Sequence, residues 1–230
     1  MAFDHLVMIR AHLESLKRVI DRATNEPFSP FSIVDLQQAF GHIRMIIEEL
    51  MLLSVSAHKD AGEAVSNRLR NEYQAVTKMA LLRAINPSFF PVSIDVVPTD
   101  EPGIAGRFVD VEDEYLTEEE AKSYYTKCGD SLHASWKAVS KATYDADLAV
   151  AGRFVPLTSR LLRTFEVDIS GQGYMMLGHL NLGEPTAPEL FFTCPLKLLS
   201  MLILGRRIEP WDRHRQGSQQ DRVTRRRRLR

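Results

Sequence analysis

Four side chains capable of acid–base, nucleophilic or electrostatic chemistry lie within one short stretch, at Lys127, Cys128, Asp130 and His133. The surrounding residues, SYYTKCGDSLHAS, have the apolar spacing of a helix. A histidine titrates near neutral pH, so His133 can act as a general acid or base. Lys127 can hold a phosphate as a point charge. The structural alternative is that His133 ends its helix and interacts favourably with the helix dipole.

The cysteines favour a structural role and a reducing compartment. Cys128 and Cys194 are the only two, and they form no CxxC motif or disulfide framework. His133 lies five residues after Cys128 and about 140° further round the helix, so it does not face the thiol. We therefore expect Cys128 to be buried. Residues 1–16 show no signal-peptide pattern and the apolar run at residues 198–204 is too short to span a bilayer, so we expect a cytoplasmic protein without a membrane segment.

No cofactor or metal ion is expected. His42, His58 and His133 show no HxxxH or HExxH spacing. The chain also lacks a Gly-rich phosphate loop and a nucleophile elbow, which disfavours a small-molecule enzyme.

Arg44 and Glu48 are a second candidate pair, one helical turn apart. Their neighbours Ile43 and Ile47 belong to an apolar stripe, so we expect Arg44 and Glu48 to be partly covered. They either support His133 in a functional site or form an i,i+4 ion pair that contributes well under about 1 kcal/mol.

These residues must be positioned by helices. Apolar periodicity predicts a bundle of about five to six helices over residues 1–164. Three of its helices cover residues 3–23, 32–58 and 61–84. A further helix begins with a Thr117–Glu120 capping box, and a helical pair divided by Pro156 covers residues 139–164. The third helix presents Val76, Ala80 and Ile85 on its apolar side. A proline-rich irregular loop is predicted over residues 87–116, with a short extended piece at residues 94–97.

The C-terminal part has a different pattern. Alternating apolar residues predict a small antiparallel three-stranded β-meander over residues 165–204, so the fold class is mainly α with a β appendage. Residues 205–230 carry a net charge of +7, against −8 for the rest, and are predicted to be a disordered tail. Its run Arg225, Arg226, Arg227 and Arg228 either binds nucleic-acid phosphates or is a solvated terminus.

Two segments together resemble the HEPN-like helical-bundle superfamily, in particular uncharacterised prokaryotic members with a small C-terminal β-rich region. They are IRMIIEELMLLS at residues 43–54 and TKCGDSLHA at residues 126–134. In that superfamily an arginine, four to six spacer residues and a histidine mark the active edge of metal-independent ribonucleases. Here Lys127 stands at the arginine position, and His133 follows after five spacers.

The resemblance implies a protein that binds or cleaves RNA in a prokaryotic defence or toxin–antitoxin setting. His133 would be the acid or base, Lys127 the phosphate cation, and Arg44 and Glu48 supporting residues. A homodimer through the bundle and an antitoxin or other protein partner are also implied. The alternative is a catalytically inactive binding or dimerisation scaffold.

Overall fold

A computed structural model describes residues 1–60, 69, 71–72, 74–100, 107–132, 139–169, 174–183 and 186–193 of the 230-residue chain. The described part is mostly helical, with a small antiparallel sheet. Its helices are α1 (Ala2–Asn25), α2 (Pro30–Asp60), α3 (Ala75–Ile85), α4 (Glu118–Leu132) and α5 (Lys141–Arg163). Its strands are β1 (Val92–Val97), β2 (Arg107–Asp110), β3 (Thr164–Asp168), β4 (Met175–His179) and β5 (Glu189–Thr193).

The two longest helices form an antiparallel hairpin whose facing sides are apolar. The α1 stripe of Leu6, Ile9, Leu13 and Leu16 is fully buried. α2 contributes Phe40, Ile43, Ile46, Ile47 and Leu50 to the same core. Hydrophobic burial on this scale is the main stabilising term of the bundle, and it fixes which faces of α2 remain for polar residues.

The helix predicted over residues 61–84 is interrupted. Glu72 and Gln74 are not helical, and α3 starts afresh at Ala75. The new helix buries Ala75, Lys78, Met79 and Leu82. Val76 and Ile85, predicted to be buried, are 39% and 54% exposed. The predicted apolar side was wrong because it assumed one continuous helix from Leu69 onwards. The break before Ala75 changes which residues of α3 face the core.

The start of α4 follows the sequence prediction. The Thr117 backbone N–H donates to Glu120 Oε2 at 3.1 Å, and the Glu120 N–H donates to Thr117 Oγ1 at 3.3 Å. This reciprocal pair is a capping box. Glu118 and Glu119 in the first turn also bind Arg83 of α3, so the acidic helix start is tied to its neighbour.

Pro156 does not divide its helix, contrary to the prediction. α5 runs through it from Lys141 to Arg163. The residue four positions earlier, where a proline ring meets the backbone, is Gly152, which has no side chain to add to the crowding. Because β3 starts at the next residue, Thr164, α5 leads directly into the sheet.

The sheet has five strands, not three. Its order is β2-β1-β3-β4-β5, and each neighbouring pair is antiparallel. The three predicted strands are present as β3, β4 and β5, but β1 and β2 come from the stretch predicted to be irregular, residues 87–116. The extended piece expected at residues 94–97 is part of β1, whereas the four residues of β2 follow a proline and precede an acidic segment and carry no clear strand pattern.

The inner face of the sheet packs on α5. Phe165, Val167 and Met176 are buried there. Ser93 Oγ of β1 donates to the Arg160 carbonyl at 2.9 Å, and Asp95 of β1 pairs with Arg160 Nη2 at 2.7 Å. These bonds attach the sheet to the C-terminal turns of α5.

None of the helices in the described residues combines the length and apolar character needed to cross a lipid bilayer. The arginine-rich tail, residues 205–230, lies outside the described residues.

Candidate functional site

Arg44, Glu48 and Tyr125 form a closed hydrogen-bonded triangle between α2 and α4. Arg44 Nε donates to Glu48 Oε1 at 3.0 Å, and Arg44 Nη2 donates to the Tyr125 hydroxyl at 3.1 Å. The hydroxyl donates to the same Glu48 oxygen at 3.0 Å. The guanidinium carbon also lies 5.0 Å from the centre of the Tyr125 ring, within range of a cation–π contact.

This Arg44–Glu48–Tyr125 cluster is only partly open to solvent. The Arg44 and Glu48 side chains are 39% and 26% exposed, which confirms the predicted partial covering. Burial raises the pKa of Tyr125, and Glu48 raises it further, whereas the Ala75 backbone N–H lowers it. The hydroxyl therefore keeps its proton at neutral pH and acts as a hydrogen-bond donor.

Cys128 lies one turn after Tyr125 and is fully buried, as the sequence predicted. Burial raises the pKa of its thiol to about 12, although the Arg44 cation acts in the opposite direction. A thiol with such a pKa is protonated at physiological pH and is a poor nucleophile. Cys128 is therefore a packing residue beneath the cluster.

Lys78 of α3 adds a buried amine beside the cluster. The residue is 6% exposed, and none of the hydrogen bonds or ion pairs between described residues involves its ammonium group. Burial lowers the pKa of Lys78, and the carboxylates of Glu48, Glu72 and Glu49 partly offset this effect. A buried amine flanked by carboxylates is the kind of perturbed group that functional sites contain.

A further pair continues this polar zone towards α1. His5 Nδ1 lies 2.6 Å from Glu49 Oε2, and their side chains are 24% and 12% exposed. Glu49 follows Glu48 on α2, and both act on Lys78. Polar side chains from α1, α2, α3 and α4 thus meet around the middle of α2.

Lys127 does not belong to this zone. Its ammonium nitrogen lies 2.7 Å from Asp147 Oδ1 of α5, with the two side chains 38% and 19% exposed. The structure therefore brings Arg44 and Glu48 together with Tyr125, and joins Lys127 to α5. His133 and the run Arg225, Arg226, Arg227 and Arg228 lie outside the described residues.

Sequence reasoning missed Tyr125, Lys78, Glu49 and His5. No sequence motif marks Tyr125 as a site residue, although its place one turn before Cys128 puts it on the face towards α2. Lys78 had no local signal, because the phase of α3 was assigned incorrectly.

Within the described ranges, no group of three or more His, Cys, Asp and Glu side chains is arranged to hold a metal ion. His58 is instead fixed inside the protein. Its Nδ1 bonds the Ser54 carbonyl at 2.7 Å, and Nε2 lies 3.4 Å from Asn86 Nδ2. These two contacts hold the imidazole in one orientation inside the protein, so His58 is a structural residue.

Comparisons with protein-family models, curated proteins and solved structures give no match for this chain.

Proposed function

We propose that the protein acts on RNA as a metal-independent ribonuclease of the HEPN-like type, in the cytoplasm of a prokaryote and in a defence or toxin–antitoxin setting. The resemblance of residues 43–54 and 126–134 motivates this proposal. The structural observation that carries it is the Arg44–Glu48–Tyr125 cluster, which holds a cation, a carboxylate and a phenol in one partly open set.

Metal-free RNA cleavage needs three kinds of group. A base takes the proton of the 2′-hydroxyl, an acid protonates the leaving 5′-oxygen, and a cation stabilises the phosphorane charge. Here Arg44 is the cation that the geometry offers, and its guanidinium suits a phosphate. Either Glu48 is the base and His133 the acid, or His133 is the base and Tyr125 the acid, so both versions require His133. The 2′-oxygen displaces the 5′-oxygen at phosphorus, leaving a 2′,3′-cyclic phosphate and a 5′-hydroxyl.

The experiment uses an end-labelled RNA, purified protein and excess EDTA. Wild type should release fragments with cyclic-phosphate ends, and a substrate with 2′-deoxy sugars should remain intact. His133→Ala and Arg44→Gln should each slow cleavage by about a hundredfold or more. His179→Ala and Arg153→Gln, at positions away from the cluster, are the matched controls. Intact RNA with wild type, or equal cleavage by His133→Ala, excludes the ribonuclease.

A specific observation favours a second function, an inactive binding or dimerisation scaffold. The Lys127 ammonium is already neutralised by Asp147 at 2.7 Å, so no free lysine stands at the position that the resemblance assigns to a phosphate. A scaffold predicts intact RNA together with a dimer or a protein complex in light scattering after gel filtration. A partner such as an antitoxin and a homodimer through the bundle remain part of both proposals.

A further inference from the structure

Two histidines meet nitrogen to nitrogen at the seam between α1 and α2. His12 Nδ1 lies 3.0 Å from His42 Nδ1. The ring centres are 5.3 Å apart and the planes are inclined at 53°, so the nitrogens face each other and the rings do not stack. Both side chains are half-buried, and neither belongs to the Arg44–Glu48–Tyr125 cluster.

Only one proton can lie between the two Nδ1 atoms of this contact. A neutral imidazole carries one N–H, so a 3.0 Å contact requires one ring to donate and the other to accept. If both rings become imidazolium, both nitrogens are donors and two positive charges oppose each other. The seam then stays closed only if a ring rotates away, and otherwise the helices separate.

No negatively charged group among the described contacts of His12 and His42 would compensate the charge of a second proton. His12 Nε2 is buried and has no hydrogen-bond partner among the described residues, so a proton on that nitrogen has no acceptor in this arrangement. The charged group acting on His42 is another cation, Arg18 of α1. Glu14 of α1 and Glu49 of α2, carboxylates of the same two helices, are already bonded to Arg10 and His5.

We infer that the His12–His42 contact is an acid-sensitive latch that holds α1 against α2 at neutral pH and releases it on acidification. A pH change across the range in which histidines titrate thus loosens the hairpin that carries Arg44 and Glu48. The inference does not depend on RNA cleavage, since it concerns the joint between two helices.

The direction of titration agrees with the geometry. Burial lowers the pKa of His42, and the charges of His12 and Arg18 lower it further. A histidine whose pKa is lower in the folded than in the unfolded state takes up its proton more readily on unfolding. The stability that it contributes is therefore complete above its unfolded pKa of about 6.5 and is lost as the pH falls below that value towards the lower folded pKa.

The test combines thermal unfolding with hydrogen–deuterium exchange of the full chain at pH 7.5 and pH 5.5. Wild type should lose about 2–4 °C more in melting temperature between the two conditions than the variant His42→Gln. Exchange should rise at pH 5.5 in peptides covering residues 8–16 and 38–46, after correction for intrinsic rates. In His42→Gln, an amide can still accept from His12 without becoming charged, so the acid-induced rise should be absent.

His12→Gln should behave like His42→Gln, because either substitution leaves only one imidazole in the contact. His179→Gln, on β4, is the matched control and should retain the wild-type response. An identical pH response in wild type and both seam variants would overturn the inference. So would increased exchange that is spread over the whole chain and not concentrated in the hairpin. If His42→Gln is unstable at pH 7.5, His12→Gln decides between the two outcomes.

Discussion

Lys127 of α4 and Asp147 of α5 face each other across the helix pair, with Nζ and Oδ1 2.7 Å apart. The pair is partly exposed, so its contribution to folding is small, at about 0–1 kcal/mol. Its functional consequence is larger. An ammonium held by a carboxylate has to exchange that partner before it can bind a phosphate.

We therefore expect Asp147→Asn to strengthen RNA binding, because it releases Lys127 from its competitor. The dissociation constant for a labelled single-stranded RNA should fall about threefold or more at low salt, and the salt dependence should become steeper. Lys127→Met should not strengthen binding. Fluorescence anisotropy at two salt concentrations measures both effects. Asp145→Asn, which breaks the exposed Lys141–Asp145 pair on the same helix, is the matched control.

Tyr125→Phe should destabilise the protein by about 1 kcal/mol, because it removes a hydroxyl that bonds both Arg44 and Glu48. Urea denaturation measures the change. Tyr174→Phe, at a position 55% exposed, should have almost no effect. A double-mutant cycle with Glu48→Gln should show a coupling energy of about 0.5 kcal/mol or more. Additive changes would show that the triangle contributes no shared stability.

The sequence was sufficient where a local pattern decides the structure. The α1 and α2 stripes, the Thr117–Glu120 capping box and the last three strands follow from periodicity and turn residues. The sequence was insufficient where a structural element depends on contacts with residues far away in the chain. The full length of β1 and its place in the sheet depend on its pairing with β2 and with β3, in which Ser93 lies opposite Phe165.

The candidate site illustrates the same limit. Arg44 and Glu48 could be paired from their spacing on one helix, but Tyr125 joins them from another helix, 81 positions from Arg44. The contact of His12 with His42 likewise spans 30 positions. Such contacts depend on how whole helices pack against each other. Side-chain periodicity predicts only which face of a helix is buried, and not which residue of another helix it meets.

Gly178→Ala should destabilise the sheet. A Cβ at this position would clash with the ring of Phe165 on β3 and lie 2.9 Å from Leu190 on β5. Phe165 is fully buried and cannot move aside without disturbing the core, so we expect a cost of about 1–3 kcal/mol. Chemical denaturation measures the change in the free energy of unfolding.

The matched control for this substitution is Gly41→Ala. A Cβ at Gly41 has no atom within 4 Å, and the position lies inside α2. There alanine should stabilise the protein by up to about 1 kcal/mol, because it favours the helix more than glycine does. Combining Gly178→Ala with Phe165→Leu should cost less than the sum of the single changes if the ring is the obstacle. If Gly178→Ala leaves the free energy of unfolding unchanged, the close approach of Phe165 to Gly178 across β3 and β4 is refuted.

Glu166 of β3 gives the sheet a pH dependence opposite to that of the His12–His42 latch. Burial raises the pKa of its carboxyl group, and the nearby charges of Asp110 and Asp168 raise it further. The protonated form is thus favoured in the folded state. The stability that Glu166 contributes is complete below its unfolded pKa of about 4.3 and is lost as the pH rises through the higher folded value.

Glu166→Gln, which is neutral at every pH, should therefore be more stable than wild type at pH 7.5 and similar to it near pH 4. Urea midpoints measured between these limits should rise on acidification for wild type relative to the variant. Glu189→Gln, on the edge strand β5 and exposed, should follow the wild-type curve. If the urea midpoints of Glu166→Gln and Glu189→Gln change with pH in the same way, ionisation of Glu166 does not destabilise the folded sheet. The partly buried position between β1 and β4 would then have to admit enough water to solvate the charge.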